Sequence, residues 1–279
     1  MKNVIAEHFK DNLNFGSLFF VNLYRKLPNF VRENAVYLLS LFAPIKLPKN
    51  RFVIYAQGRT GSTLLVDLIN SHPDTFTYGE IFHKNVIRNV RNPVRFATGL
   101  MVLNKKSTCG FKVKIYQLVN DQNKDPAKTL KEFAENGWKI IYLHRDNFFL
   151  HAISDLRSEK LKIWHQLKDN ESTSNKKVNI SYEEIIEALE FRERNRIKEE
   201  KSLQGIEHYS VSYEDDLGNA DKQKVFAKSI LEFLGLNETP LDTKLQKVVK
   251  GSLSEVIENY DELEEQLLAT RFADFVKAA

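Results

Sequence analysis

The sequence predicts an α/β fold of three layers: a central parallel sheet with helices on both faces, a helical N-terminal arm and a helical C-terminal part. Two observations lead to this prediction. Short apolar runs, rich in β-branched and aromatic residues, alternate along the chain with longer segments of helical spacing. One run leads through a glycine-containing turn straight into a helix, a P-loop-like strand–turn–helix. Strands separated by helices favour parallel pairing, because a parallel connection needs a crossover.

Each element is predicted from its local pattern. Strands are expected at the apolar runs 52–56, 111–116, 139–144 and 208–212. Helices are expected over 62–70, from Pro126 until Gly137, over 147–168 and from a capping box at Ser181 and Glu184 to about Leu203. The segment 169–177 is predicted to be a surface loop, and the last 60 residues to be mostly helical with Gly235 ending one helix.

Two prolines divide the chain. Pro44 and Pro48, with lysines between and after them, mark a break before the first strand. We therefore expect an N-terminal arm over 1–49 and one α/β domain over 50–279. The arm contains aromatic and basic residues, so peripheral contact of this arm with a membrane is an open alternative to packing on its own domain.

Composition narrows the class of protein. Of 279 residues, 42% are hydrophobic and 28% are charged, a balance typical of globular proteins and not of disordered ones. The net charge of +4 is too small to predict nucleic-acid binding. The single cysteine, Cys109, excludes an internal disulfide and any zinc site that needs two thiolates. We expect it to be a small buried side chain.

The apolar runs near the N-terminus do not predict a membrane span. The longest, within 17–23 and 35–45, are shorter than the roughly 20 residues that cross a bilayer. The start of the chain also lacks the unbroken apolar stretch of a secretory signal. A cytoplasmic protein without a transmembrane segment is the expectation.

The turn at 57–61, Gln-Gly-Arg-Thr-Gly, predicts an anion site. It leads into the N-terminus of the helix over 62–70, where free backbone N–H groups and the positive end of the helix dipole favour negative charge. Arg59 adds a cation, while Ser62 and Thr63 add hydroxyl donors. The backbone amides of Thr60 and Gly61 are expected to be donors in the same anion site.

The loop departs from the sequence of nucleotide kinases. A Walker loop requires a second glycine five residues after the first and then a lysine, but Thr63 stands five residues after Gly58 and no lysine precedes Ser62 or Thr63. The run 139–144 ends in His144-Arg145, with no obvious magnesium-holding aspartate at the strand end. A sulfuryl group carries less charge than a terminal phosphoryl group, so cations and backbone amides alone can stabilise its transfer.

The segment 55–63 resembles the 5′-phosphosulfate-binding loop of sulfotransferases that use 3′-phosphoadenylyl sulfate (PAPS). The resemblance is to the bacterial branch of the Nod-factor and trehalose sulfotransferase type. Its second element is a strand ending in arginine, followed nine residues later by serine, as in Arg145 and Ser154. The family implies PAPS as co-substrate, adenosine 3′,5′-bisphosphate (PAP) as product and no metal. Arg145 would offer a planar fork to the 3′-phosphate, and Ser154 a hydroxyl.

The resemblance also implies the catalytic residues. Arg59 and Lys112 would stand beside the transferring group, and Glu80 would be the general base, with His83 as the reserve candidate. Cytosolic members have a catalytic histidine where this chain has Lys114, which is a poor base near neutral pH. By the same resemblance Tyr213 would lie near the adenine, and Lys247 or Lys250 would close over the 3′-phosphate. His144, His151 and His165 are expected to be structural or solvent-facing.

The predicted activity is transfer of a sulfuryl group from PAPS to a hydroxyl or amine. A carbohydrate, a lipid headgroup and another small molecule all remain open as the acceptor, and the sequence does not indicate the oligomeric state. Two alternatives stay open: a P-loop-type kinase of a small molecule, and a non-enzymatic module that binds nucleotides or a membrane surface.

Overall fold

A computed structural model of the chain describes residues 28–102, 104–162, 176–245 and 252–279. Within them, five strands form one parallel sheet in the order β2-β3-β1-β4-β5. The strands are β1 Asn50–Ala56, β2 Thr75–Tyr78, β3 Thr108–Val113, β4 Lys139–His144 and β5 His208–Ser212. The predicted fold class, a parallel sheet flanked by helices, is confirmed.

Helices connect these strands and cover both faces of the sheet. In chain order they are α1 Asn29–Ser40, α2 Ala43–Lys46, α3 Ser62–Asn70, α4 Pro93–Met101, α5 Pro126–Glu135, α6 Phe148–Leu161, α7 Tyr182–Leu203, α8 Ala220–Leu234, α9 Tyr260–Leu268 and α10 Ala273–Lys277. Two π-helical turns, Gln117–Asp121 and Tyr213–Leu217, follow β3 and β5, and a short 3-10 helix spans Leu253–Glu255.

β1 lies at the centre of the sheet, and its two faces belong to different cores. Val53 and Tyr55 pack into a core rich in aromatic residues, beside α4, α5 and the end of α7. Phe52 and Ile54 pack on the opposite face against α3 and α8. A third cluster joins α6, α7 and the C-terminal helices. Since β1 is buried on both faces, it holds the loop at its carboxyl end rigidly.

Most predicted elements are confirmed. The helix over 62–70 and the strands over 139–144 and 208–212 have the predicted bounds, and β1 begins two residues before its predicted start. Asp125 caps α5, Ser181 and Glu184 form the predicted capping box, and Gly235 ends α8 in a left-handed conformation. Cys109 is buried as predicted.

Two predictions need correction, and one strand was missed. The strand expected over 111–116 is β3, which begins at Thr108 and ends at Val113, because the Gln117 side chain accepts a hydrogen bond from the Lys114 amide and turns the chain. The strand β2 was not predicted at all. The helix expected to reach about Lys168 ends at Leu161, where Lys162 adopts a left-handed conformation.

At the N-terminal end, α1 and α2 lie in the segment expected to be a helical arm. α1 packs against α4, so the described part of the segment contacts the α/β domain. Residues 1–27 and most of the predicted loop 169–177 lie outside the described residues, as does His165. No helix in the described ranges is long and apolar enough to cross a membrane.

Candidate active site

The loop between β1 and α3 is built around two left-handed residues. Gly61 has a φ of 86°, and Arg59 has a φ of 68°, which is costly for a residue with a side chain. Three contacts hold the turn: the Thr60 hydroxyl donates to the Gln57 carbonyl at 2.9 Å, His151 Nε2 contacts the Gly58 carbonyl oxygen at 2.7 Å, and Arg192 reaches the same oxygen at 3.5 Å. The surrounding fold therefore fixes this turn.

His151 is a structural residue, as the sequence suggested. Its ring is buried, and burial lowers its pKa well below the ordinary value, with Arg192 adding to the effect. A neutral ring that donates from Nε2 to the Gly58 carbonyl satisfies both groups. The ring therefore supports the loop from beneath.

The first turn of α3 follows directly from Gly61. No side chain caps this helix, so its first backbone N–H groups point out of the helix end. The Tyr213 ring lies close to Gly61: a Cβ there would fall 2.5 Å from Tyr213 Cδ2. Glycine is thus required both by the backbone conformation and by the neighbouring ring.

Tyr213 also joins the loop to the end of β4. The Arg145 guanidinium lies over its ring, with 4.7 Å between the guanidinium carbon and the ring centroid. One aromatic ring therefore contacts both Gly61 and Arg145, which lie at the carboxyl ends of neighbouring strands. The two predicted anion-binding elements are brought to the same place.

Arg145 is held by a partner that the sequence did not suggest. Its Nε donates to Glu214 Oε1 at 3.1 Å, and the other oxygen of Glu214 accepts the Asp146 amide at 2.9 Å. Within the described ranges, neither Nη atom of Arg145 has a hydrogen-bond partner. The glutamate orients the guanidinium while leaving its terminal nitrogens for a ligand.

The side chain of Arg59, inside the loop, contacts Ser154 on α6. Arg59 Nη2 donates to Ser154 Oγ at 3.3 Å. Burial lowers the pKa of Arg59 from its ordinary value, and Arg145 and Arg192 lower it further, whereas Asp155 opposes them. Three guanidinium groups thus influence one another around this loop. Glu214 and Asp155 offset two of these three positive charges, so the net charge of this group is still positive and favours an anionic ligand.

A second group of side chains surrounds Glu80, which lies just after β2. Lys112 and Lys114 place their Nζ atoms 3.5 Å and 3.0 Å from Glu80 Oε1, and Gln117 Nε2 donates to Oε2 at 2.5 Å. Burial would raise the pKa of Glu80, but the two lysines and the amide outweigh it and lower the pKa to about 2. Glu80 is therefore a paired carboxylate at neutral pH.

Lys112 connects the two groups. Its Nζ lies 3.4 Å from Thr63 Oγ1, on the first turn of α3, as well as beside Glu80. Burial lowers the pKa of Lys112 from its ordinary value, while the Glu80 charge raises it. The Lys112 ammonium thus lies between the Glu80 carboxylate and the loop that joins β1 to α3.

Lys114 extends the second group towards the turn. The pKa of Lys114 is raised: burial lowers it, but Tyr116 and Glu80 outweigh burial. A Cβ on Gly58 would lie 2.9 Å from the Tyr116 hydroxyl, so this tyrosine touches the loop. Although β3 ends before Lys114, the Nζ atoms of both lysines reach Glu80.

The remaining predicted residues are placed less centrally. His83 lies in the turn after Glu80, where its Nδ1 accepts a hydrogen bond from the Asn85 amide at 3.1 Å. Lys247 and Lys250 lie outside the described residues. Ser62 is buried at the start of α3. Among the described residues, no group of three or more His, Cys, Asp or Glu side chains is placed to hold a metal ion.

A buried acid lies behind the loop. Glu199 Oε2, on α7, accepts hydrogen bonds from Gln57 Nε2 at 3.2 Å and from the Tyr142 hydroxyl at 3.3 Å. Burial raises the pKa of Glu199 to about 8, although these two hydrogen bonds lower it. Arg192 nearby is paired with Asp155.

Comparison with solved structures gives a similarity to the mouse sulfotransferase SULT7A1 complexed with PAP. The match has 14% sequence identity and a TM-score of 0.44, and it covers 87% of this chain and 93% of that chain. No family model and no curated protein matches the chain.

Proposed function

We propose that this chain is a sulfotransferase that moves a sulfuryl group from PAPS to a hydroxyl or amine of a small-molecule, lipid-headgroup or carbohydrate acceptor. The observation that carries the proposal is the position of Tyr213, whose ring contacts both Gly61 and Arg145. One adenine nucleotide could place its 5′ end on the loop and its 3′-phosphate at Arg145. The resemblance of both sequence elements to the bacterial branch supports the same proposal.

The residues around the loop fit such a ligand. The uncapped N-terminus of α3, together with Arg59, would hold the 5′-phosphate and the sulfuryl oxygens. The Arg145 Nη atoms and the Ser154 hydroxyl would hold the 3′-phosphate, with Glu214 keeping the guanidinium in place. Lys247 and Lys250 are proposed to add charge at that end.

The reaction is an in-line displacement at sulfur. The acceptor oxygen or nitrogen forms a bond to sulfur, while the bond between sulfur and the 5′-phosphate oxygen breaks and leaves its electron pair on PAP. Glu80 takes the proton from the acceptor. Arg59 and Lys112 stabilise the negative charge that develops on the leaving phosphate.

Glu80 needs a change in its surroundings to act as a base, because a carboxyl group with a pKa of about 2 accepts a proton only weakly. The shared position of Lys112 supplies that change. In the loaded site Lys112 would turn from Glu80 towards the transferring group, which would raise the pKa of Glu80. Basicity would then develop only when the donor is bound. His83 remains the reserve base.

The test is binding of nucleotides that differ in one phosphate. PAP should raise the melting temperature more than ADP or ATP, with no need for magnesium, because a ligand of the native state stabilises it by mass action. Arg145→Gln should reduce the shift caused by PAP and leave the shift caused by AMP, which lacks the 3′-phosphate. A magnesium-dependent preference for ATP would instead support the kinase alternative and overturn the proposal.

A further inference from the structure

The surface of α1 and α2 is unusually apolar. Twelve large hydrophobic residues are exposed in the described part of the chain, and half of them fall between positions 30 and 45. These six residues are Phe30, Val31, Leu38, Leu41, Phe42 and Ile45. Phe30, Val31 and Leu38 lie on α1, Leu41 and Phe42 in the turn after it, and Ile45 on α2. We call these six exposed residues the apolar face. Such a concentration of exposed apolar side chains in one segment is typical of an interaction site.

The apolar face is held outwards by the packing of α1 on α4. Glu33, Val36 and Tyr37 are buried, and they form the side of α1 that faces the domain. At Gly99 of α4 the approach is so close that a Cβ would fall 2.0 Å from the Val36 carbonyl oxygen. The Tyr37 hydroxyl donates to Glu33 at 2.6 Å. A small rotation of the helix cannot bury the apolar face.

Basic side chains border this face. The guanidinium groups of Arg91 and Arg95 lie over the Tyr37 ring, 5.2 Å and 5.0 Å from its centroid. Arg91 Nη2 also donates to Asn34 at 2.6 Å, and Arg95 Nε donates to Ser40 at 3.0 Å. Both cations are therefore fixed along α1, beside the exposed apolar residues.

The charge of this region differs from that of the rest of the chain. The segments 28–49 and 84–95 contain seven basic residues and one acid, Glu33, which is buried. The basic residues are Arg32, Lys46, Lys49, Lys84, Arg88, Arg91 and Arg95. Since the net charge of the whole chain is only +4, the remainder of the chain is net negative. Positive charge is concentrated where the apolar surface is.

We propose that the apolar face and its basic border form a docking surface for a membrane that contains anionic phospholipids. The apolar side chains would enter the boundary between headgroups and acyl chains, and the arginines and lysines would lie against lipid phosphates. A nucleic acid would match the charge but offers no place for exposed leucine and isoleucine side chains. A second copy related by a two-fold axis would set the arginines of one surface against those of the other. The inference is independent of the proposed sulfuryl transfer.

The experiment is flotation of the full chain with vesicles of phosphatidylcholine, with and without phosphatidylserine. We expect binding only to the vesicles with phosphatidylserine, and weaker binding as salt screens the charges. The double variant Leu41→Asp, Ile45→Asp should reduce vesicle binding by about tenfold or more, because both side chains are exposed and both would leave the acyl boundary. Val225→Asp is the matched control, since Val225 is 78% exposed on α8 and lies outside the apolar face.

Three outcomes distinguish membrane docking from a folding defect, from non-specific binding and from a second copy on the apolar face. An unchanged melting temperature and unchanged PAP response in the double variant would show that the fold and the loop are intact. Absence of binding to phosphatidylserine vesicles at low salt would overturn the proposal, and so would an equal loss in Val225→Asp. Concentration-dependent dimerisation that the double variant abolishes, without vesicle binding, would assign the face to a second copy instead.

Discussion

Two carboxyl groups border the loop after β1: Glu80, half-buried on the side that we call the front, and Glu199, buried on the side that we call the back. The pKa of Glu80 is about 2 and that of Glu199 is about 8. Burial raises both values, because a low-dielectric surrounding disfavours the charged form. The difference lies in the partners. Glu80 has two lysine ammonium groups within 3.5 Å, whereas Glu199 has only neutral donors at hydrogen-bond distance.

The cations near Glu199 form ion pairs with other carboxylates. Arg192 pairs with Asp155, and Arg196 pairs with Glu200 and Asp146. The front of the loop thus keeps its acid ionised beside two lysine ammonium groups, and the back holds a neutral acid whose Oε2 accepts hydrogen bonds from neutral donors. Cations at contact distance can therefore outweigh the effect of burial on a carboxyl group, as they do for Glu80 and not for Glu199.

The largest expected effect comes from removing the proposed base. Glu80→Gln should slow the conversion of PAPS to PAP with an accepted substrate by about 10²–10⁴, the range for loss of a general base. Glu199→Gln makes the same chemical change behind the loop and should leave the rate close to that of the unmodified chain. Equal rates for Glu80→Gln and the unmodified chain would remove Glu80 from the mechanism.

A somewhat smaller effect is expected at Arg59, inside the loop. Arg59→Ala removes a cation from the transferring group and should lower the rate of sulfuryl transfer by about 10²–10³. Arg194→Ala is the control, because that arginine is exposed and pairs within α7. Single-turnover measurement of PAP release separates this effect from weaker binding, and near-normal turnover would contradict the role given to Arg59.

The sequence could predict the elements that have local signals. β1, β4 and β5 are apolar runs, and α3 and α7 have clear spacing or a capping box. β2 has only four residues, so it offers too little pattern to be recognised. The beginning of β3, Thr-Cys-Gly, lacks the apolar alternation of a strand, but a Cβ on Gly110 would strike the Phe52 ring, which explains the glycine.

The site could be predicted only where its residues lie in a recognisable motif. Arg59, Arg145 and Ser154 stand in such motifs, and the structure places all three around the loop. Gln117, Glu214 and Glu199 were missed because no local sequence pattern links them to their partners. Their partners lie 37, 69 and 142 positions away along the chain. Only the tertiary fold brings such pairs together.

Behind the loop, the expected effect is on stability in alkaline solution. The folded pKa of Glu199 lies above its unfolded value, so its favourable contribution is complete below about pH 4.5 and is lost as pH rises through 8. Glu199→Gln should therefore be more stable than the unmodified chain by about 5 kcal/mol at pH 9, with little gain at pH 4. Urea unfolding at the two pH values measures this, and a gain that does not vary with pH would contradict it.

The smallest expected effect has the opposite sign and belongs to Glu80. Its folded pKa lies below its unfolded value, so the stability it contributes is present above about pH 4.5 and is lost as pH falls towards 2. The free energy of unfolding of the unmodified chain should fall by about 2 kcal/mol from this group between pH 5 and pH 3. Glu80→Gln, although less stable because Lys112 and Lys114 lose their partner, should lack that part of the slope. If urea unfolding gives both chains the same acid slope, the lysines do not hold Glu80 as the contacts indicate, and the contrast between the two sides of the loop fails.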